Sequence, residues 1–433
     1  MNADDRRAAL AEVRQASNCS HPIRIAGEMV NVTTGEVFRR GLTVACKDRR
    51  RAICPACSYL YKADAYIMAA AGLIGGKGID ESVLLHPRLF VTLTAPSFGV
   101  VHRITHGQQC HPHPRVAHCV HGHSLVCRLQ HHPGDAVLGS PICPHCFDYE
   151  GAVRWNAHAN RLWNELVTRL RRELGASQGL VRRELPHHFT LNYFKVAEFQ
   201  LRGLVHFHVV LRVDGPGDPN NAPPLWATAD LLTQVITHSV RLERLILETG
   251  DILTWGRQLH IAQVHEGLAA KRVAGYLAKY AVKTTDGSLE LVRRFTSRQQ
   301  VDDLRDPHQR RLALTAWDLG FTRHAHAFGY PGNLITKSRS YSTTFREMRE
   351  ERAAYMAPNN DLAVIPGTFL YDGRGYLHPK AQALAELFFA MDVELRKEAA
   401  QRKVSSEMNP SEDQSISQTE TPGSPNPQQI QEK

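Results

Sequence analysis

The chain has 433 residues, of which 42% are hydrophobic, and a formal net charge of +9. This length is sufficient for a substantial buried core, and the charge favours a polyanionic partner, although ordinary surface charge would explain it equally well. No apolar run reaches membrane-spanning length, and residues 1–14 lack the apolar region of a signal peptide. We therefore expect a cytoplasmic protein with no membrane partner, whose nine cysteines are thiols or metal ligands rather than disulfides.

Four regions follow one another along the chain. Residues 1–80 form a cysteine-rich segment expected to bind zinc, and residues 86–285 form the main domain. An insertion at residues 105–148 is rich in His, Cys and Pro and lacks periodicity, so we predict that metal holds it together. Residues 286–400 are mainly helical and are a candidate DNA-binding region, and the polar residues 401–433 predict a disordered tail.

Hydrophobic periodicity in the main domain predicts an α+β fold. The predicted strands are residues 88–94, 192–199, 205–213 and 258–264. The predicted helices are residues 149–174, 229–247 and 270–283. Residues 200–203 form a hairpin turn, so the second and third of these strands should be neighbours.

Two histidines stand out on the third predicted strand. His206 and His208 alternate with apolar residues, so both project from one face of the strand. Glu198 lies just before the hairpin turn and could reach the same face. Two imidazoles and a carboxylate could hold Mg²⁺ or Mn²⁺ and leave open positions for phosphate oxygens. The alternative is that both histidines are polar residues on a solvated strand face.

Two tyrosines lie four residues apart on the last predicted helix. Tyr276 and Tyr280 therefore share a face, with Lys279 and Lys283 close by. A tyrosine is a poor nucleophile at neutral pH because its ordinary pKa is about 10. A nearby cation favours the phenolate, and a lysine can neutralise charge on a phosphate in the transition state. The alternative is that both tyrosines are core residues with solvated hydroxyls.

Together these segments resemble the three motifs of the HUH endonucleases, in particular rolling-circle replication initiators of plasmids and phages. The first motif resembles the strand at residues 90–94, and the second matches His206-Phe207-His208. The third, Tyr-x-x-Lys, occurs twice, at residues 276–279 and 280–283. The resemblance implies an antiparallel sheet like that of RNA-recognition domains, with the histidine strand central and the tyrosine helix over it. It also implies Glu198 as the third metal ligand.

The overlapping tyrosine motifs resemble the two-tyrosine class, in which one tyrosine initiates and the other resolves the replicated circle. If only one acts, we expect it to be Tyr280. The wider pattern is similar to initiators of actinobacterial plasmids and integrative elements. The segments that carry this similarity are residues 54–64, 93–98, 155–158 and 336–339.

The resemblance implies a strand-specific nick at an origin, which leaves a 5′-phosphotyrosine and a 3′-OH primer. The expected partners are single-stranded origin DNA, a host polymerase and, because the chain has no phosphate-binding Gly-x-x-x-x-Gly-Lys-Ser/Thr loop, a host helicase. A relaxase or a transposase is one alternative, although relaxases usually carry a third histidine in the metal motif. A non-catalytic, zinc-stabilised DNA-binding regulator would explain the cysteines and the charge but not the Glu, His and Tyr residues.

Two cysteine pairs have zinc-knuckle spacing, Cys54 with Cys57 and Cys143 with Cys146. Cys46, with Cys19 or His21, could complete the first site. The second site has a surplus of ligands, namely Cys110, Cys119, Cys127, His121 and His123. We expect two structural Zn²⁺ ions; the alternative is that these are buried or incidental thiols.

The C-terminal third contains two weaker signals. Residues 310–319 predict a basic amphipathic helix. Residues 336–341 form a basic, hydroxyl-rich run in which Lys337 and Arg339 are candidates for contact with DNA phosphates. Both segments could equally be solvated surface.

Overall fold

A computed structural model describes residues 3–105, 107–283, 294–356 and 361–408. The chain divides into two compact units. The terminal unit comprises Met1–Ile25, Leu42–Ala45 and Tyr371–Lys433, and the central unit comprises Ala26–Gly41 and Cys46–Leu370. Among the helices in these residues, none is both long and apolar enough to span a bilayer.

The described residues form ten α-helices and eleven strands. The helices are α1 (Ala3–Gln15), α2 (Pro55–Ile74), α3 (Tyr149–Ala176), α4 (Leu185–His188), α5 (Ala229–Leu242), α6 (Leu268–Lys283), α7 (Arg298–Asp302), α8 (Pro307–Asp318), α9 (Phe345–Met356) and α10 (Ala381–Met408). The strands are β1 (Ile23–Asn31), β2 (Val37–Val44), β3 (Arg88–Thr94), β4 (Thr190–Phe199), β5 (Val205–Asp214), β6 (Leu245–Ile246), β7 (Ile252–Leu253), β8 (Leu259–Gln263), β9 (Ile335–Lys337), β10 (Leu362–Val364) and β11 (Leu370–Arg374).

A five-stranded antiparallel sheet organises the central unit, with the strand order β8-β3-β5-β4-β9. The histidine strand β5 is at its centre. It pairs with β3 up to Thr94↔His206 and with β4 through Glu198↔His206. This register brings three short segments, distant in sequence, to the same end of three adjacent strands.

Helices cover both faces of this sheet. One cluster of buried side chains joins Phe207 and Val209 of β5 to helices α3, α5 and α8. The other joins Val210 to α2, α6 and α9. Because side chains alternate along a strand, His206 and His208 share the face of Val210 and point towards α2 and α6. The alternative of a solvated strand face is therefore wrong for His208, which is buried.

Two further regions complete the described fold. In the central unit, strand β1 pairs antiparallel with β10 through Met29↔Val364. Within the terminal unit, α1 and α10 pack through small apolar residues, namely Ala9, Val13, Ala381 and Ala385.

The predicted mixture of strands and helices is confirmed. The strand predicted at residues 88–94 is β3 with the same bounds. The helix predicted at residues 229–247 ends earlier, at Leu242, because Glu243 is extended and a short strand follows. Helix α10 continues to Met408 and so enters the predicted tail of residues 401–433, of which residues 409–433 lie outside the described part of the chain.

Candidate active site and cysteine clusters

The two histidines of β5 face two threonines of the neighbouring strand. Thr92 lies opposite His208, and Thr94 lies opposite His206. The Thr92 hydroxyl is 3.4 Å from Nδ1 of His208, and the Thr94 hydroxyl is 3.3 Å from Nδ1 of His206. Since Nδ1 of each ring is directed to a threonine, Nε2 is the nitrogen that each imidazole turns away from β3.

Glu198 contacts the second histidine directly. Its Oε2 atom is 2.9 Å from Nε2 of His208, and both residues are buried, with exposed fractions of 8% and 3%. The two imidazole rings are themselves 4.6 Å apart between centroids. A buried carboxylate is therefore in contact with the Nε2 atom that could bind a cation.

Helix α6 places both tyrosines against this group. The ring centroids of Tyr276 and Tyr280 lie 5.2 and 4.6 Å from that of His208, and 4.4 Å from each other. Phe90 of β3 packs edge-on against Tyr276 at 5.5 Å. The tyrosine face of the helix thus meets the polar face of the histidine strand, rather than an apolar core alone.

The two tyrosines differ in their surroundings. Burial, a hydrogen bond with Tyr280 and the nearby Glu198 carboxylate raise the pKa of Tyr276 well above its ordinary value. Tyr276 therefore holds its proton more tightly than a free tyrosine. Lys279 is exposed, and its Nζ lies 6.0 Å from the centroid of the Tyr280 ring. Lys283 ends helix α6, and its side chain lies outside the described residues.

The chemistry of Glu198, His206 and His208 suits a divalent cation, since imidazole and carboxylate are common ligands of Mn²⁺ and related ions. Their ligand atoms are not gathered into a compact group, however. In the part of the chain that the structure describes, every group of three or more residues with ligand atoms all within 4.8 Å of one another consists of cysteines and histidines. The 2.9 Å between His208 Nε2 and Glu198 Oε2 is close to the separation of two neighbouring ligands on one ion, so it is His206 that would have to move closer to complete the group.

Three such clusters could hold metal ions. The first contains Cys46, Cys54 and Cys57 of the central unit, with 3.7 Å between the Sγ atoms of Cys46 and Cys57. The main-chain N–H of Asp48 donates to Cys46 Sγ. Cys19, the predicted fourth thiolate, belongs to the terminal unit and stays a prediction, as does its alternative, His21.

The second cluster consists of His102, Cys110, Cys127 and His131. Nδ1 of His102 is 3.2 Å from Nε2 of His131, which is 3.5 Å from Cys127 Sγ. Asp135 lies 3.1 Å from the other nitrogen of His131. This arrangement is typical of a metal-binding histidine, in which a carboxylate fixes the tautomer and leaves Nε2 for the ion.

The third cluster consists of Cys119, His121, Cys143 and Cys146. Nδ1 of His121 is 3.2 Å from Cys146 Sγ and 4.0 Å from Cys143 Sγ. Burial acts to raise the pKa of Cys119, but hydrogen bonds from the main chain and the other thiols lower it to about 6. Burial and the neighbouring thiols raise the pKa of Cys146 to about 11. The thiols thus compete for negative charge, which a divalent cation would stabilise.

The described residues contain three clusters that could bind zinc, one more than the two zinc sites expected from the sequence. The predicted pairs Cys54 with Cys57 and Cys143 with Cys146 fall in the first and third clusters. His102 and His131 were missed as ligands because neither belongs to a Cys-x-x-Cys motif, and His102 precedes the predicted insertion. The cysteine count offered one signal, since nine cysteines are more than two sites of four ligands can use.

The basic run near residue 337 makes mainly internal contacts. The Lys337 ammonium is half-buried and donates to the carbonyl oxygens of Ser338, Arg339 and Ser342. Burial lowers the pKa of Lys337. The Tyr341 hydroxyl donates to a buried carbonyl of α2, whereas Arg339 is exposed. The role of Lys337 and Arg339 in DNA binding stays a prediction, and Arg339 is the more accessible of the two.

Comparison with known proteins identifies the family. The family model described as RepSA, replication initiator protein of pSAM2, matches residues 5–390. A replication initiator protein of Streptomyces ambofaciens is 35% identical over 451 residues, which cover 92% of this chain and 93% of that protein. No solved structure matches the chain. The chain belongs to the RepSA family of replication initiator proteins.

Proposed function

We propose that the chain initiates replication by nicking one strand of origin DNA with a tyrosine, as an HUH endonuclease of the two-tyrosine type. The observation that carries this proposal is the contact of Tyr276 and Tyr280 with His208, a residue far away in the sequence. Two tyrosines with a purely structural role would not need a buried carboxylate and two imidazoles beside them. A tyrosine that attacks a phosphodiester would use these groups to hold a cation at the phosphate.

In the proposed reaction, the Tyr280 oxygen attacks the scissile phosphorus. A P–O bond forms to tyrosine while the bond to the 3′ oxygen breaks, and the proton lost by the phenol is balanced by the proton that the 3′ oxygen gains. The products are a 5′-phosphotyrosine and a free 3′-OH. Because one phosphodiester replaces another, the bond energy is conserved and the nick can later be resealed.

The difference between the tyrosines supports Tyr280 as the first nucleophile. Tyr276 keeps its proton, since its pKa is raised, and it is hydrogen-bonded to Tyr280. A phenol that donates a hydrogen bond stabilises negative charge on its neighbour. Tyr276 would then be available for the second strand transfer, which ends a round of replication.

Glu198, His206 and His208 would hold Mg²⁺ or Mn²⁺ in this site. The cation would supply positive charge at the scissile phosphate and orient it towards the tyrosine. The threonine contacts support this assignment, because they leave Nε2 of each imidazole directed away from β3. The central place of β5 in an antiparallel sheet also agrees with the HUH resemblance.

The proposed partners follow from the products. Single-stranded origin DNA is the substrate, a host polymerase extends the 3′-OH, and a host helicase opens the duplex. The net charge of +9 favours a DNA partner. Lys279 immediately precedes Tyr280 and its side chain is exposed. It could therefore neutralise negative charge on a bound phosphate.

The proposal is tested by incubating the full chain with labelled single-stranded oligonucleotides that tile the origin, in the presence of Mn²⁺. We expect a labelled band at the mass of the protein on a denaturing gel. Tyr276→Phe and Tyr280→Phe should differ in the amount of adduct, with the larger loss in Tyr280→Phe, and the double variant should form none.

Tyr355→Phe is the matched control, since Tyr355 is 84% exposed and lies on α9. It should form the adduct normally. Cleavage and adduct formation that persist in the double tyrosine variant would contradict the proposal. Binding to duplex origin DNA with no cleavage, unchanged by the double variant, would favour a non-catalytic regulator instead.

A further inference from the structure

The second and third cysteine clusters share their stretch of chain in an alternating order. Along the sequence, the ligand pairs are His102 and Cys110, then Cys119 and His121, then Cys127 and His131, and finally Cys143 and Cys146. The first and third pairs form the second cluster, and the second and fourth pairs form the third. Two independent metal sites arranged one after the other would not interleave in this way.

We propose that residues 102–146 form one cross-braced module that binds two zinc ions, each of which stabilises the site of the other. The ion at the second cluster would close a loop that contains the second ligand pair, Cys119 and His121. The ion at the third cluster would close a loop that contains the third ligand pair, Cys127 and His131. Neither loop can be closed without ordering ligands of the other site. This proposal does not depend on the nicking chemistry.

Zinc is the ion that the donor atoms favour. Cysteine and histidine in tetrahedral sets of four are typical of structural zinc, and Zn–S and Zn–N bonds of about 2.3 and 2.0 Å separate neighbouring ligand atoms by roughly 3.3 to 3.8 Å. The observed separations of 3.2 Å between His102 and His131 and 3.5 Å between Cys127 and His131 are close to this range. A disulfide would instead need about 2.05 Å between two sulfur atoms.

The module has little else to hold it together. Among its described residues, the buried hydrophobic side chains are those of Cys110, Cys127, Leu138 and Cys143, so three of the four are metal ligands. Val120 and Leu129 are 94% and 64% exposed. Segments that bury so little apolar surface cannot offset the entropy of ordering their backbone, so metal binding must supply the stabilisation.

One end of the module packs against the hairpin that carries Glu198 and His206. Gly139 has a φ of +83°, and a Cβ atom there would come within 2.3 Å of the main chain of Leu201, in the turn between β4 and β5. Beside it, Arg202 of the same turn donates to the carbonyl oxygens of Ala95 and Pro96. Ordering of the module is therefore linked to ordering of this turn.

Linked sites should lose affinity together. If one ion is removed, the loop that it had closed becomes less ordered. Part of the free energy of binding at the remaining site must then be spent on ordering that loop. We expect its zinc affinity to fall by roughly tenfold to a hundredfold, the usual range for coupled sites. The first cluster, near α2, has no ligand within the module and should be unaffected.

The test uses the full chain with Cys143→Ala and Cys146→Ala together, which removes two ligands of the third cluster. The matched control is His113→Ala, because this histidine of the module is exposed and belongs to no cluster. Zinc content is measured by elemental mass spectrometry during titration with a chelator of known affinity. Cobalt substitution distinguishes the two sites, since one has two thiolates and the other has three.

We expect the control to keep both ions of the module. The cysteine variant should lose the ion of the third cluster and bind the other at least tenfold more weakly, with faster amide hydrogen exchange in residues 199–205. The reciprocal variant, His102→Ala with Cys110→Ala, should weaken the third cluster. Unchanged affinity of the remaining site in both variants would overturn the proposal, as would a chain whose insertion binds no zinc.

Discussion

The central sheet and the insertion are stabilised by different forces, although the insertion follows strand β3 closely in the chain. In the sheet, β3, β4 and β5 bury apolar side chains on both faces between layers of helices. In the described residues of the insertion, half of the buried positions are cysteines and a histidine, and several aliphatic side chains face solvent. From this difference we expect the sheet to keep its fold without metal, and the insertion to depend on metal bound at its cysteine and histidine clusters.

The largest expected effect is on the chemistry of the sheet. His208→Ala should reduce nicking by roughly a hundredfold or more, the scale for removing one group that stabilises charge at a reacting centre. The fold should persist, because the surrounding strands are held by apolar contacts. The rate of oligonucleotide cleavage measures the effect, and His187→Ala, an exposed histidine on α4, is the control. Nicking at an unchanged rate would refute the role of His208.

The second prediction concerns a buried ionic group at the opposite end of the same hairpin. Asp214 is fully buried, and its carboxylate accepts hydrogen bonds from Arg212 and Asn192 and contacts His86 at 2.7 Å. Asp214→Asn should lower the free energy of unfolding by about 3–5 kcal/mol, because it leaves the buried Arg212 charge without its partner. Chemical denaturation of the full chain measures the loss. Asp318→Asn, an exposed carboxylate on α8, should change the free energy of unfolding far less.

The pH dependence of stability follows from the same group. Burial acts to raise the pKa of Asp214, but the contacts with His86, Arg212 and Asn192 outweigh it and lower the pKa. The stabilisation is therefore present above the ordinary carboxyl pKa of about 3.9 and is lost as the pH falls through the lower, folded-state value. Asp214→Asn should flatten the decline of stability in this acid range. If the stability of Asp214→Asn fell with acid as steeply as that of the unmodified chain, Asp214 would not be the group responsible.

The last prediction compares apolar contacts in the two regions and includes the smallest expected effect, that of an exposed leucine in the insertion. Leu166 of α3 is 1% exposed in the core beneath the sheet, and Leu166→Ala should cost about 2–5 kcal/mol. Leu129 of the insertion is 64% exposed, so Leu129→Ala should change stability by less than about 0.5 kcal/mol. The loss of stability in each variant is measured by thermal unfolding. Equal losses would mean that the insertion also depends on an apolar core.

The same contrast explains what the sequence could predict. His206 and His208 were identifiable because the alternating apolar residues of β5 fix the direction of each side chain, and Tyr276 and Tyr280 because helical spacing puts them on one face. Their mutual contact depends on the order of strands in the sheet, for which only the family resemblance offered guidance. The insertion has no periodicity, so its ligand groups depend on loop paths that spacing does not determine.

The central claim is that a tyrosine of α6 becomes covalently joined to DNA. The most direct measurement is mass spectrometry of the protease-digested adduct formed on single-stranded origin DNA with Mn²⁺. We predict a nucleotide attached to the peptide that contains residues 276–280, on Tyr280 in the first nick. Attachment to a residue outside α6, or cleavage of the DNA without any covalent peptide, would contradict the account.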